Sequence, residues 1–145
     1  PFRSSLFSGF HRAHACRKRT MPEKYDQDMR SICDIVRGIL ANPAAQEEYF
    51  EMIGRAVEFA QSRGIDVVLM HTPWHQDMIE TAGADLVRRF TDYTRDFAHR
   101  KGCAYLNLME AEIPEEGWFN ASHMNERGAK VLTEMVRDRL KDLVK

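Results

Sequence analysis

Two polar stretches of the sequence hold the residue types that most often do chemistry. One contains His71, Trp74 and His75, and the other has His123 at its centre with Asn120 three residues before it. An imidazole changes charge near neutral pH, so it serves as a general acid, a general base or a metal ligand. An indole offers a large apolar face with one N–H donor. The two stretches are therefore the candidate functional regions.

His123 is the strongest candidate for a catalytic group, because it lies in a polar loop that an amphipathic helical pattern follows directly. In one interpretation it is a general base beside the crevice of a sheet. In the other it caps the last helix or is a satisfied surface histidine. The residue types leave both interpretations open.

The first stretch suggests a binding role. We expect His71, Trp74 and His75 to line a substrate site, with the Trp74 ring stacked on a sugar. Alternatively, the histidines are ordinary loop residues and Trp74 is a rim aromatic packed under the neighbouring helix. Imidazoles and a carboxylate, Asp77, also suit zinc, and His123 could join them. The spacing matches no known zinc signature, however, and we assign neither a metal nor another cofactor.

The hydrophobic spacing predicts the elements that must position these residues. One helical stripe runs from Asp26 to near Asn42. Asn42 and Pro43 form an N-cap with a first-turn proline, and a second helix continues to Gly64. Two apolar runs predict buried strands at 65–70 and 103–108; further helical stripes cover Leu86–Phe97 and Leu132–Leu143, the latter with Asn125 as its N-cap.

Strands that alternate with helices predict an α/β fold with a parallel sheet flanked by helices. We expect a three-layer arrangement, with helices on both faces of the sheet. Two strands make a narrow sheet, so we expect it to be incomplete and to be completed by an upstream domain or by a homo-oligomeric partner. The chemistry should lie at the carboxyl ends of the strands, where both polar stretches begin.

Composition is typical of a globular domain, with 145 residues of which 43% are hydrophobic and 30% charged. No apolar run approaches the roughly 18 residues that a membrane span needs. Cys16, Cys33 and Cys103 are an odd number at wide spacing, which argues against a disulfide framework. Cys33 and Cys103 lie in apolar stretches and are expected to behave as small hydrophobes. The cysteines do not indicate a compartment.

The N-terminal segment differs from the rest of the chain. Residues 1–24 carry six basic side chains and the single acid Glu23. Such a segment could meet nucleic acid or anionic lipid. We favour a basic linker or boundary segment over residues 1–25, followed by one domain over 26–145, and we expect no nucleic-acid partner. Because the sequence begins at Pro1, we also expect a fragment or a processed product.

The His123 loop resembles the last sequence block of the SGNH hydrolases. It reads Trp118-Phe119-Asn120-Ala121-Ser122-His123-Met124-Asn125-Glu126-Arg127-Gly128. In that family an Asp-x-x-His pair, often followed by Asn and Gly, opens the final helix, with the His as general base and the Asp as its orienting partner. His123, Asn125 and Gly128 match this pattern.

Asn120 stands where the family has its Asp. An amide oxygen accepts the imidazole N–H but supplies no negative charge, and the comparable change in a serine protease lowers turnover by about ten-thousandfold. Glu115 or Glu116, in the same loop, could supply the missing charge.

The resemblance covers roughly residues 44–145. The family's Gly-Asp-Ser nucleophile block is not found in this sequence. The order of elements is also similar to the C-terminal half of the membrane-associated acetyltransfer branch of that superfamily, which modifies exported polysaccharides. The resemblance thus implies O-acyl esters of carbohydrate as the substrate class.

Three hypotheses follow. The chain is the C-terminal part of an acyl-ester hydrolase or O-acetyltransferase whose serine lies upstream or on a partner; or it is a degenerate binding module for carbohydrate or protein; or it is a metal-binding domain. Under the first hypothesis, the 145-residue chain alone should be inactive as an esterase.

Overall fold

A computed structural model describes residues 22–143 of the chain, so Cys16 and the basic segment before Pro22 lie outside the described residues. Within this range the helices are long and the strands short. In chain order the elements are α1 (Pro22–Ala41), α2 (Pro43–Gln61), β1 (Val68–His71), α3 (Gln76–Ala82), α4 (Ala84–Arg100), β2 (Ala104–Asn107), a 3-10 turn (Glu115–Gly117) and α5 (Glu126–Leu143).

Helix α1 supplies one side of the core. It begins at Pro22, four residues before the predicted start at Asp26, because proline is favoured in a first helical turn. This earlier start extends the apolar stripe by one turn, and Tyr25 at its head is 1% exposed. Cys33 is fully buried on the same stripe, as predicted, and burial raises the pKa of its thiol.

The predicted cap of α2 is confirmed. The Asn42 side-chain oxygen accepts hydrogen bonds from the backbone N–H groups of Ala44 and Ala45, and Pro43 occupies the first turn. The helix ends at Gln61, three residues before the predicted stop. Gly64, at φ 72°, lies in the turn that follows, where a left-handed backbone favours glycine.

Both predicted strands form and pair in parallel, in a register that runs from Val68 opposite Ala104 to His71 opposite Asn107. Each is shorter than its apolar run. The chain is thus of mixed α/β character, with a two-stranded parallel sheet and helices that dominate the described residues.

Helix α3 was missing from the predicted elements. It spans only seven residues, too few for a helical stripe to stand out, and a glycine at φ 81°, Gly83, separates it from α4. Its side chain Met78 is nevertheless fully buried. Helix α1 packs against α2, α3 and α4, and α4 also covers β2. The main hydrophobic core lies among these helices and the loops that follow the strands.

Helix α5 is attached differently. Its principal contact is with the 3-10 turn. The predicted apolar stripe is present, but none of its members is fully buried, and Leu143 is 41% exposed. Among residues 22–143, no helix combines the length and the apolar character needed to cross a membrane.

Candidate active site

The two polar loops meet, as the parallel sheet predicts. The backbone N–H of Trp74 donates to the Met109 carbonyl at 2.9 Å, and the N–H of Leu108 donates to the His71 carbonyl at 3.1 Å. These bonds extend the strand pairing past the carboxyl ends of β1 and β2. The loop after β1 and the loop after β2 therefore form one surface at this edge of the sheet.

The His123 loop is a small closed turn. The N–H groups of Phe119 and Asn120 both donate to the His123 carbonyl, at 2.8 and 3.2 Å, and Trp118 and Met124 form an antiparallel bridge. The turn is closed by contacts of its own backbone, which limits how far its side chains can move.

Asn125 caps α5, as predicted. Its side-chain oxygen accepts from the N–H groups of Arg127 and Gly128, at 2.9 and 3.3 Å. Its amide nitrogen donates to the Glu116 carbonyl at 2.6 Å. Asn125 rather than His123 therefore caps the last helix, and a satisfied surface histidine stays as the alternative interpretation of His123.

Asn120 and His123 are hydrogen-bonded to each other, at the two positions that the resemblance singled out. The Asn120 Oδ1 atom lies 3.0 Å from Nδ1 of His123 and also accepts from the His123 backbone N–H at 2.8 Å. Asn120 is 5% exposed, whereas His123 is exposed. Since Oδ1 accepts, Nδ1 of His123 carries the hydrogen, and Nε2 keeps its lone pair. Nε2 makes no hydrogen bond within residues 22–143.

His75 lies in a second cluster, buried to 4% exposure. Its Nε2 is 2.9 Å from Oε2 of Glu115, and its Nδ1 accepts from the Asp77 N–H at 3.1 Å. The Tyr25 hydroxyl, from α1, lies 3.1 Å from that Nδ1 and donates to Asp77 at 3.0 Å. Both ring nitrogens of His75 thus have partners within the protein.

Sequence reasoning missed Tyr25 and considered Glu115 only as a partner for His123. Extending the α1 stripe one turn upstream of Met29 would have identified Tyr25 as buried. No pattern links Glu115 to His75, which is 40 residues away in the chain. The idea that Glu115 supplies the charge missing at Asn120 finds no support here, because its bond goes to His75.

His71 faces the helix layer. Its Nδ1 lies 2.9 Å from the Tyr105 hydroxyl, its Nε2 lies 3.2 Å from Oγ1 of Thr94, and its ring stacks on Phe90 with centroids 4.5 Å apart. Burial lowers the pKa of His71 to about 4 and raises that of Tyr105 to about 12. The structure does not bring His71 together with His75 or His123. Both ring nitrogens of His71 already have partners, Thr94 and Tyr105.

A cleft of about 470 Å³ lies beside the joined loops. Trp74 forms part of its wall, half-buried, with its ring 6.3 Å from that of Phe90. His75 lies in its lining, but neither His71 nor His123 does. The remaining lining residues are Gln76, Ile79, Glu110, Ala111, Glu112, Ile113, Pro114, Glu115 and Trp118.

The arrangement of the candidate ligands does not support the metal-site hypothesis. Across residues 22–143, no three His, Cys, Asp or Glu side chains converge as metal ligands do. His71 and His123, two of the four candidate ligands, make separate contacts of their own.

Comparison with known proteins gives no match to a family model, a curated protein or a solved structure.

Gly128 should be intolerant of any side chain. A Cβ at this position would overlap the carbonyl oxygen of Gly117, where the start of α5 crosses the 3-10 turn. We expect Gly128→Ala to destabilise the protein by about 1–3 kcal/mol, the range for overpacking, in urea unfolding. The matched control is Gly38→Ala, on the exposed side of α1 with no atom within 4 Å of the new Cβ. It should stabilise by about 0.5–1 kcal/mol. Equal effects of the two changes would contradict this account.

His71 should make stability fall with acid. Its pKa in the folded state, about 4, lies below the ordinary value of 6.5, so between these pH values the unfolded chain binds a proton that the folded chain does not. The contribution is complete above pH 6.5 and is lost as the pH falls toward 4. His71→Gln should flatten this part of the pH dependence in urea unfolding. His99→Gln, at the exposed end of α4, is the control, and an equal flattening there would disprove the role of His71.

Proposed function

We propose that this chain is the C-terminal part of an acyl-ester hydrolase or O-acetyltransferase of the SGNH type, acting on carbohydrate esters, with His123 as its general base. The observation that carries the proposal is the hydrogen bond between Nδ1 of His123 and Oδ1 of the buried Asn120. This bond selects the tautomer in which the exposed Nε2 is unprotonated and can accept a proton.

The chemistry needs a serine from outside the described residues. As that serine attacks the acyl carbon, its hydroxyl proton passes to Nε2 of His123; the imidazolium then returns the proton to the leaving alcohol. Ser122 is not suited to this role, because its hydroxyl lies 3.0 Å from Nδ1, the nitrogen that already carries the hydrogen.

Asn120 sets the limit of this mechanism. Its side chain orients the ring with an uncharged oxygen, so the imidazolium forms without the carboxylate that normally stabilises it. A slow enzyme, or one that transfers only to a well-bound acceptor, is consistent with such a pair.

The cleft, whose lining does not include His123, supports the substrate class by the surfaces that it offers. Trp74 in its wall supplies an apolar face, while Glu110 and Glu112 in its lining supply carboxylates that accept hydroxyl hydrogens. A carbohydrate chain presents both kinds of surface. We assign Trp74 to substrate contact and expect His71 and His75, whose nitrogens are occupied, to act indirectly.

The full three-layer fold also belongs to this proposal. A two-stranded sheet and the half-exposed stripe of α5 are what the C-terminal half of such a fold would leave uncovered. Further parallel strands, from an upstream segment or from a second copy, would complete the sheet and bring the serine.

A non-catalytic binding module is the second candidate function, and the uncharged Asn120 favours it. In this case the cleft beside Trp74 would still bind glycan, and substitution of His123 would leave the affinity of the protein for that glycan unchanged.

Removing the base should abolish most activity. In the full-length natural polypeptide that contains this chain, His123→Ala should lower kcat/KM for 4-nitrophenyl acetate by at least about a hundredfold, the usual contribution of a general base. His99→Ala, at an exposed site on α4, should retain the wild-type rate. Wild-type hydrolysis by the His123 variant would refute the catalytic proposal and leave the binding module.

Restoring the carboxylate should raise activity. Asn120→Asp places a negative charge 3.0 Å from Nδ1, where it stabilises the imidazolium, so we expect kcat to rise at least about tenfold in the same assay. Asn107→Asp adds the same charge at an exposed position at the end of β2 and should leave kcat unchanged. An unchanged or lower kcat in Asn120→Asp would show that His123 does not work through this pair.

A further inference from the structure

His75 makes three contacts with the segment that carries the candidate base. Its backbone N–H donates to the Ala121 carbonyl at 3.3 Å, its Nε2 bonds Glu115 at 2.9 Å, and the edge of its ring meets Trp118 with centroids 5.3 Å apart. Ala121 and Trp118 belong to the closed turn around His123, and Glu115 begins the 3-10 turn that leads into it. The contacts thus reach the loop at three separate points.

The other side of the ring is anchored to helices. Nδ1 of His75 accepts from the Asp77 N–H and so caps α3, while Tyr25 of α1 lies against the same nitrogen and bonds Asp77. Because Nδ1 accepts, Nε2 carries the hydrogen and donates to Glu115. A rotation of the ring would break the cap and the Glu115 bond together.

We propose that His75 is a positioning residue for His123, holding the loop of residues 118–125 against α1 and α3. For its catalytic consequence this inference rests on the proposed function; the positioning itself does not. The path runs from the helices through the His75 ring to Glu115, Trp118 and Ala121, and from that closed turn to Asn120 and His123.

This role differs from the substrate contact that sequence suggested for His75. At 4% exposure the ring offers almost no surface to a ligand in the adjacent cleft, and both its nitrogens are already engaged. A ligand contact would require breaking one of these buried bonds, which costs more than an exposed polar contact returns.

Two conservative variants separate the functions of the two ring nitrogens. His75→Asn keeps a side-chain oxygen close to the Nδ1 position, where asparagine is a favoured N-cap, but cannot reach Glu115. His75→Gln extends an amide to the Nε2 position and can donate to Glu115, but loses the short cap. If His75 positions the loop through Glu115, residues 118–125 should be more mobile in His75→Asn than in the wild type. They should not be more mobile in His75→Gln.

The decisive measurement is amide hydrogen exchange at Phe119, Asn120 and Asn125, whose N–H groups are bonded inside the turn region. We expect His75→Asn to speed exchange at these sites about tenfold, as expected for the loss of one hydrogen bond, while α2 is unaffected. His75→Gln should stay near the wild-type rates. Glu115→Ala, at a half-exposed side chain, should reproduce the effect of His75→Asn, and Glu116→Ala should not.

Kinetics of the full-length natural polypeptide give the second readout. Loss of positioning should lower kcat with KM nearly unchanged, and His75→Gln should rescue kcat. A raised KM with unchanged kcat would instead show that His75 contacts substrate and would overturn the proposal. So would wild-type exchange in the loop for both His75→Asn and Glu115→Ala. If no variant or wild-type protein is active, the proposed function fails, and the exchange rates still decide the positioning role.

Discussion

The parallel pairing of β1 with β2 is the constraint on which the site depends, because parallel strands end at the same edge of a sheet. His71 and Asn107 face each other at that edge. The chain leaves both strands there, and two further backbone bonds, from Leu108 and Trp74, keep the outgoing segments side by side. Two loops that are more than 30 residues apart in sequence thus become one surface, and the contacts between them, such as the bond of His75 with Glu115, depend on that pairing.

Charge distinguishes the two imidazoles of this surface. His75 is buried and has carboxylates nearby, Glu115 at Nε2 and Asp77 close to Nδ1. His123 is exposed, and its Nδ1 contacts two uncharged groups, the Asn120 amide and the Ser122 hydroxyl. The histidine with carboxylate neighbours is therefore the buried one, and the exposed one has uncharged neighbours. The carboxylates near this edge thus contact the buried histidine, and in the proposed mechanism the exposed one relies on hydrogen-bond orientation alone.

Local signals in the sequence predicted the parts of this structure that depend on neighbours in the chain. Asn42 and Asn125 cap helices because a side-chain oxygen meets N–H groups two or three residues on, and the same short range brings Asn120 to His123. Contacts between residues far apart in the chain left no comparable pattern in the sequence. His71 and His75 look alike in sequence, yet the first is the last residue of a strand covered by α4 and the second begins a helix. A seven-residue helix is also too short for periodicity to reveal.

Helix α5 meets the rest of the described chain mainly at its first turns, where Gly128 lies against Gly117. An 18-residue helix is roughly 27 Å long, so the far end of α5 lies well away from the segment next to His123. Along that length the apolar stripe of α5 stays half-exposed, and Leu143 at its end is 41% exposed. A surface that covered this stripe would therefore be joined to the His123 loop through the contact between Gly128 and Gly117.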